Sequence, residues 1–181
     1  IESIVNNPGS PDDQDIKISP IPEGDTTKEP IWDSPMLHSK EVFFNLLTYK
    51  VYYLTLREGV GETPTRVDGV LAAYEGSYMS LDGADPINTQ FEYNPVPSTF
   101  FPLPSTITGW QEIFPLFRKG AVVAGEGPNP AVYTDFGAGV MFLPSALAYY
   151  NVKQTSASSV VIPAYSPLMF SFKLYEDRKS T

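Results

Sequence analysis

Residues 104–120 read PSTITGWQEIFPLFRKG and contain the best helical signal in this 181-residue sequence. The apolar residues of this stretch recur at helical spacing, as Trp110, Ile113, Phe114 and Phe117. Thr108 and Gln111 have the spacing of a capping box, which predicts that the helix begins at Thr108. Pro115 is unfavourable deep inside a helix, so the helix should be short or kinked, and Gly120 should end it.

The sequence around this helix is typical of β-structure. Residues 42–56 predict one or two strands, because β-branched, aromatic and aliphatic side chains concentrate there. Further strands are predicted at 69–78, 138–143 and 168–175. Residues 121–137, with several glycines and prolines, predict an inserted hairpin or loop. The sum is an α+β domain with an antiparallel sheet and one short helix.

Composition and charge exclude several classes of function. Twelve basic residues against 21 acidic ones give a net charge of −9, without a basic run that could neutralise phosphates, so nucleic-acid binding is not expected. The absence of cysteine excludes disulfides, thiol catalysis and cysteine-ligated zinc. No apolar run approaches the roughly 20 residues of a membrane span. The first residue is Ile1, which we interpret as the start of a processed or trimmed chain.

Residues 1–40 differ from the remainder and are called the acidic leader below. They are rich in proline and acidic residues, and neither helical nor strand periodicity continues through the prolines. One interpretation is a flexible tether to a domain spanning 41–181. The other is a partly extended segment that packs on this domain, with docking expected from about residue 30 through Ile31, Trp32, Met36 and Leu37.

Common catalytic constellations are missing from the sequence. His38 is the only histidine, so a Ser-His-Asp triad would depend on it, and no G-x-S-x-G elbow occurs. The Gly59-x-Gly61 pair lacks the third glycine and the helix of a dinucleotide site. Glu75 and Glu92 could serve a glycosidase only if they converged, and solvated surface is the default for both. A reaction that needs only shape, burial and a few hydrogen bonds remains open.

Five stretches occur in the order found in one known family: Gly59-x-Gly61-x-x-Pro64; Tyr74-Glu75-Gly76 with Asp82-Gly83; Phe101-Pro102-Leu103 with Ile107-Thr108-Gly109-Trp110-Gln111-Glu112; Leu143-Pro144-Ser145 with Ala148-Tyr149; and Ile162-Pro163 with Pro167-Leu168-Met169-Phe170. Through them, residues 50–176 resemble the FKBP-type peptidyl-prolyl cis-trans isomerases. Each stretch alone is a weak signal, whereas the ordered set is specific. The resemblance implies a twisted antiparallel sheet wrapped around one short helix, with 121–137 as an insertion.

The sequence departs from the family pattern at three places. Phe91-Glu92 stands where the family has Phe-Asp, after extra residues, and the longer side chain could lose or reshape a hydrogen bond. Tyr150 replaces the glycine that usually follows the Ala-Tyr pair, and Ala164 replaces the second proline of Ile-Pro-Pro.

The resemblance implies isomerisation of X-Pro bonds in polypeptide substrates, without a cofactor or metal. The site residues that it implies are Tyr74, Phe91, Glu92, Phe101, Ile107, Trp110, Tyr149, Ile162 and Phe170. Trp110 would form the floor of an apolar pocket, and the Tyr149 hydroxyl and the Ile107 backbone amide would bind substrate carbonyls. The protein is expected to act as a monomer.

Three alternatives accompany this interpretation. The pocket residues could simply be core, which is the usual fate of large apolar side chains. The domain could bind proline-containing segments, as a binding module or chaperone, with little or no turnover. A glycan-binding or structural β-domain is suggested only by the richness in aromatics. The leader and insertion resemble exported, lipid-anchored family members from Bacteroidetes-like bacteria, which implies a periplasmic or outer-membrane-anchored lipoprotein with a membrane tether.

Overall fold

The computed structural model describes residues 16, 18–19, 21, 24–82, 85–123 and 132–180. The expectations for residues 1–15, for Gly83 and for the centre of the 121–137 insertion lie outside this range. The strands are β1 (Leu37–Phe44), β2 (Leu47–Arg57), β3 (Gly69–Asp82), β4 (Asp85–Asn94), β5 (Phe101–Pro102), β6 (Ala121–Val123), β7 (Val132–Thr134), β8 (Gly137–Leu143), β9 (Gln154–Thr155), β10 (Val161–Ile162) and β11 (Leu168–Arg178).

The described strands form one large antiparallel sheet and two small hairpins. The large sheet has the order β1-β2-β8-β11-β3-β4, with β5 paired to β3, and the hairpins are β6–β7 and β9–β10. Residues 42–56 therefore belong to two strands. Asn45 and Leu46 join them with φ angles of 48° and 65°, the left-handed pair that a tight hairpin turn requires. The β6–β7 pairing places a hairpin inside the 121–137 insertion.

Helix α1 spans Thr108–Ile113 and is as short as the sequence predicts. A 3₁₀ turn at Phe114–Leu116 takes Pro115 beyond the helix interior, where the missing N–H does not break the ladder. The prediction that Thr108 caps the helix is wrong, because Ile107 is the N-cap residue and no side chain caps it. Gly120 does not end the helix either, since the 3₁₀ turn is complete before it.

One face of the sheet packs against α1 and is called the front face. Alternate residues of β11, Phe170 and Phe172 among them, point into this core together with Trp110 and Phe114 of the helical segment. The rings of Phe114 and Phe172 have centroids 4.8 Å apart. Further 3₁₀ turns at Ile31–Asp33, Leu103–Ser105 and Ser145–Leu147 border the sheet.

The opposite face of the sheet, called the back face, carries a second apolar cluster. Its buried members are Ile16, Leu54, Ala138, Val140 and Met169. Ile16 belongs to the acidic leader and is only 5 % exposed. Ile31 and Leu37 also pack against the cluster, whereas Trp32 is 69 % exposed and contacts the Tyr52 ring at 5.3 Å. Described parts of the leader therefore lie on the back face, and β1 already begins at Leu37.

Two buried carboxylates stabilise the rim of the sheet. Asp177 forms ion pairs with Lys119 at 2.8 Å and with Lys179 at 2.6 Å. Asp68 accepts hydrogen bonds from the Ser180 and Thr65 backbone amides at 2.9 and 2.7 Å. These bonds tie the end of β11 to the loop before β3. Within the described residues, no helix has the length and apolar character needed to cross a membrane.

Candidate active site

The structure brings the predicted site residues together on the front face. Five of them are buried members of one core cluster: Tyr74, Phe91, Trp110, Ile162 and Phe170. Three more are partly buried and pack against it: Phe101, Ile107 and Tyr149. The ninth, Glu92, joins the group through a hydrogen bond from the Tyr74 hydroxyl. The convergence follows from the fold, because β3, β4, β11 and α1 meet at this position.

Three aromatic rings stand almost perpendicular to the Trp110 indole. The ring centroids of Tyr74, Phe101 and Phe170 lie 4.9, 6.0 and 5.3 Å from that of Trp110, at interplanar angles of 84°, 84° and 88°. Edge-to-face contacts of this kind are favourable beyond the area that they bury. The indole therefore lies like a floor between upright walls. Trp110 is 5 % exposed, and its Nε1 has no hydrogen-bond partner among the described residues.

Gly76 lets two of the site rings approach each other. A Cβ at this position would lie 2.7 Å from Phe170 Cε1 and 2.8 Å from Phe91 Cζ. These distances are too short for a real side chain, so only glycine permits the packing seen here. The Phe91 and Phe170 centroids are 5.7 Å apart at 88°. The glycine of the Tyr74-Glu75-Gly76 stretch thus serves close packing rather than a turn.

A register irregularity in β4 lets two consecutive residues face the site. Gly76 pairs with Glu92 and Ser77 pairs with Gln90, so Phe91 is the extra residue. In a regular strand Phe91 and Glu92 would point to opposite faces, whereas a bulge re-aims one of them. The sequence gives no direct signal for this bulge, although the consecutive Phe91-Glu92 pair is its consequence.

Glu92 is the polar centre of the site. The Tyr74 hydroxyl donates a hydrogen bond of 2.7 Å to Glu92 Oε1, so the longer acid still reaches this tyrosine. Burial raises the pKa of Tyr74 far above its usual value of 10, and the bond to Glu92 and its charge add to the rise. Burial also raises the pKa of Tyr149, with a contribution from the Glu92 charge. Both hydroxyls therefore stay protonated and able to donate.

The loop at residues 152–160 has more regular structure than the sequence predicts. Residues 152–160 are rich in Ser and Thr, which predicts a mobile loop, yet β9 lies within them and pairs with β10. Ser158 Oγ donates a 2.7 Å hydrogen bond to the Phe91 carbonyl oxygen. Ile162 follows on β10 and is buried. Ser158 is a site-supporting residue that the sequence did not reveal, because its partner is 67 positions away.

Other chemistry finds little support in the geometry. Glu75 lies at a back-face position between Tyr74 and Gly76, so it does not converge with Glu92 as a glycosidase pair would. Within the described part of the chain, no three His, Asp or Glu side chains come together in a group that could hold a metal ion. The amide of Ile107, the N-cap residue of α1, donates no hydrogen bond within the described residues.

Comparison with known proteins shows what this arrangement is similar to. The chain is 32 % identical, over 101 residues, to a probable FKBP-type peptidyl-prolyl cis-trans isomerase FkpA from Neisseria meningitidis serogroup B. The match covers 56 % of this chain and 35 % of that protein, so the chain spans about a third of the relative's length. No family model matches the chain.

Two solved structures share the fold. A peptidyl-prolyl cis-trans isomerase from Pseudomonas syringae aligns with a TM-score of 0.50 and 20 % identity, covering 71 % of this chain and 76 % of that one. FkpA from Escherichia coli aligns with a TM-score of 0.50 and 24 % identity, covering 72 % and 49 %. The predicted α+β class and the resemblance drawn from the five stretches are thereby confirmed. The chain has the fold of FKBP-type peptidyl-prolyl cis-trans isomerases and resembles them in sequence.

Proposed function

We propose that this chain is a peptidyl-prolyl cis-trans isomerase that acts on X-Pro bonds of polypeptides. The observation that carries the proposal is the Trp110 floor with its three perpendicular walls. An indole of this kind offers a flat apolar surface of the size of a proline ring. The residues come from four separate elements, so their convergence is not a by-product of one amphipathic segment.

The chemistry requires only a shaped, mostly apolar site. Rotation about an X-Pro bond is opposed by a barrier of roughly 18–20 kcal/mol, because the amide loses its resonance on the way. The twisted amide is less dipolar than the planar one, so an apolar pocket disfavours the planar form relative to it. The pocket accelerates the reaction only by the extent to which it holds the twisted form better. Each 1.36 kcal/mol of this difference gives about a tenfold rate increase.

The polar groups of the site orient the substrate. The Tyr149 hydroxyl and the Ile107 amide are the two donors for substrate carbonyls. Glu92 holds the Tyr74 ring upright beside Trp110 through the 2.7 Å bond. Ile162 and the β9–β10 hairpin cover the site, and Ser158 anchors this hairpin to β4. Neither a nucleophile nor a cofactor is needed.

The two tryptophans of the chain provide a matched test. Exchange between cis and trans forms of an Ala-flanked X-Pro peptide is measured by NMR with catalytic amounts of protein. The native chain and Trp32→Leu should accelerate exchange equally, since Trp32 is exposed on the other side of the domain. Trp110→Leu should lose most of the acceleration while keeping its circular dichroism spectrum.

The outcomes separate the candidate functions. Equal activity in both variants would refute Trp110 as the pocket floor. Peptide binding without any acceleration would favour the binding module, in which Glu92, Tyr150 and Ala164 mark the departure from an active enzyme. Neither binding nor acceleration would mean that only the fold is shared.

The cellular setting is a further part of the proposal. We propose that the protein is exported, acts as a monomer on unfolded or partly folded clients, and is held at a membrane by a lipid anchor. The similarity to FkpA and the acidic, proline-rich leader support this setting. Fractionation of cells that make the full-length protein checks it, with a cytosolic signal as the contradicting result.

A further inference from the structure

Two exposed tyrosines form a pair beside the proposed site. Tyr150 is 52 % exposed and Tyr165 is 63 % exposed, and their ring centroids lie 5.7 Å apart at 79°. The Tyr165 amide also donates a 2.7 Å hydrogen bond to the Tyr150 carbonyl oxygen. The backbone bond ties the two segments together. We refer to Tyr150 and Tyr165 as the tyrosine pair.

The backbone at both residues is in the left-handed region. Their φ angles are 51° and 62°, which non-glycine residues adopt only at a cost in free energy. Glycine would relieve this strain, and the family pattern has glycine at the position of Tyr150. Two large apolar rings held in water on a strained backbone are unfavourable for stability alone. Such strain clusters at functional sites, although the Asn45–Leu46 turn shows that a tight turn can also produce it.

The pair lies close in sequence to two residues of the proposed site. Tyr150 directly follows Tyr149, and Tyr165 lies three residues after Ile162. Three extended residues span roughly 10 Å at most, so Tyr165 cannot be farther than that from the buried isoleucine. A bound polypeptide covers the same distance with about three residues on one side of its proline. The same two segments also expose Val152 and Val161.

We propose that the tyrosine pair is a specificity subsite that binds an apolar or aromatic side chain two or three residues from the substrate proline. The occupant is the polypeptide substrate itself, because the pair is continuous with the residues that hold the proline. Tyrosine rings suit this task, since they offer a large apolar area, lose little conformational entropy and keep a hydroxyl for the peptide backbone. The inference rests on the proposed function and deepens it by naming the preferred substrates.

The test compares peptides that differ only in their flanking residues. One X-Pro peptide has alanine at all flanking positions, and a second series places a single phenylalanine two or three residues before or after the proline. Dissociation constants are measured by NMR titration and exchange rates on the same samples. At least one phenylalanine peptide should bind the native chain about 2- to 10-fold more tightly, the range expected for one additional aromatic contact.

The variant is the double substitution Tyr150→Gly with Tyr165→Gly. Glycine accepts both backbone conformations, so the fold should persist, and Tyr150→Asn provides a second variant that tolerates the left-handed region. The preference for phenylalanine, measured as the ratio of the phenylalanine-peptide affinity to the alanine-peptide affinity of the same variant, should fall to less than twofold in the double variant. Asp135→Gly is the matched control, because Asp135 is also exposed and has a φ of 52°. It precedes the first residue of β8, whereas the segment with Tyr150 follows the last residue of that strand, Leu143.

The outcomes distinguish this inference from the proposed function. Equal binding of all peptides to the native chain, or a preference that survives in the double variant, would overturn the subsite. If the protein did not accelerate exchange of the alanine peptide, the isomerase proposal would be refuted instead. The titrations would still decide whether the tyrosine pair selects aromatic neighbours.

Discussion

The two faces of the sheet are both covered, but by different kinds of structure. The front face is covered by α1, which is part of the domain and brings Trp110 and Phe114 into the core. The back face is covered in part by the acidic leader, through Ile16. The front-face core is formed within the domain and contains the proposed site. The back-face cluster is completed by the acidic leader, which covers part of a sheet face that would otherwise be exposed. The two faces should therefore respond differently to mutation.

The largest effect is expected on the front face. Phe172→Ala should lower the free energy of unfolding by about 3–5 kcal/mol, because the ring is fully buried between Phe114 and Phe117 and a cavity would remain. Denaturant titration measures the change. Phe43→Ala is the control, since the same substitution on the exposed edge strand should change stability by less than about 0.5 kcal/mol. Equal losses of stability in the two variants would contradict the assignment of Phe172 to the core and of Phe43 to the surface.

Acid should lower the stability of the protein through Asp68, at the rim of the sheet. Burial would raise the pKa of Asp68, but hydrogen bonds from Ser180 and Thr65 and the contact with Lys179 outweigh it and hold the pKa at about 2, below the ordinary 3.8. A depressed folded-state pKa contributes stability above about pH 4, and this contribution is lost as the pH falls towards 2. The melting temperature should therefore drop across this window.

The drop should be smaller in Asp68→Asn, which cannot titrate. Asp33→Asn, at an exposed position, should behave like the native chain. An unchanged acid profile in Asp68→Asn would contradict the role assigned to this carboxylate.

A smaller effect is expected on the back face. Ile16→Ala should cost about 1–2 kcal/mol, because it removes part of a buried aliphatic side chain from a docked segment. Exchange activity should be unaffected, since the site is on the other side of the sheet. Ile21→Ala, at an exposed leader position, serves as the control and should be neutral. Loss of activity in Ile16→Ala would show that the two faces are coupled.

The smallest effect concerns a single hydroxyl on the front face. Tyr74→Phe removes the bond to Glu92 and should cost about 0.5–1.5 kcal/mol in stability. The exchange rate should also fall, because the ring beside Trp110 loses its anchor. Tyr133→Phe removes a comparable bond, to Glu176 at 3.0 Å, outside the site and should leave exchange unchanged. Equal exchange rates in Tyr74→Phe and Tyr133→Phe would show that the Tyr74 hydroxyl does not contribute to catalysis.

Local signals in the sequence predict much of this fold. The short helix follows from the spacing of its apolar residues and from Pro115, and the strands follow from their composition. The site residues converge as the five ordered stretches imply. The predicted cap at Thr108 failed because the N-cap is one residue earlier, at Ile107, so that Thr108 is already helical. The spacing of Thr108 and Gln111 does not determine the backbone conformation at Ile107.

The remaining features depend on contacts between distant residues. The docking of Ile16 is decided by Met169 and Val140, more than 120 positions away, and the leader composition points instead to a tether. The order of the loop at 152–160 depends on its pairing with β10 and on Phe91. The composition of these segments shows that they are polar, but it does not show which distant residues they pack against or pair with.

The β4 bulge also governs how this hairpin tolerates changes in length. Between the bulge and the turn, pairing runs without interruption from Ser77↔Gln90 to Asp82↔Asp85. Adding one residue to each strand there would lengthen the hairpin and leave Glu92 opposite Gly76, with Phe91 still in the bulge. Adding one residue to a single strand would rotate every later side chain to the other face. Insertions are thus tolerated in matched pairs, and the site is insulated from the outer half of its own hairpin.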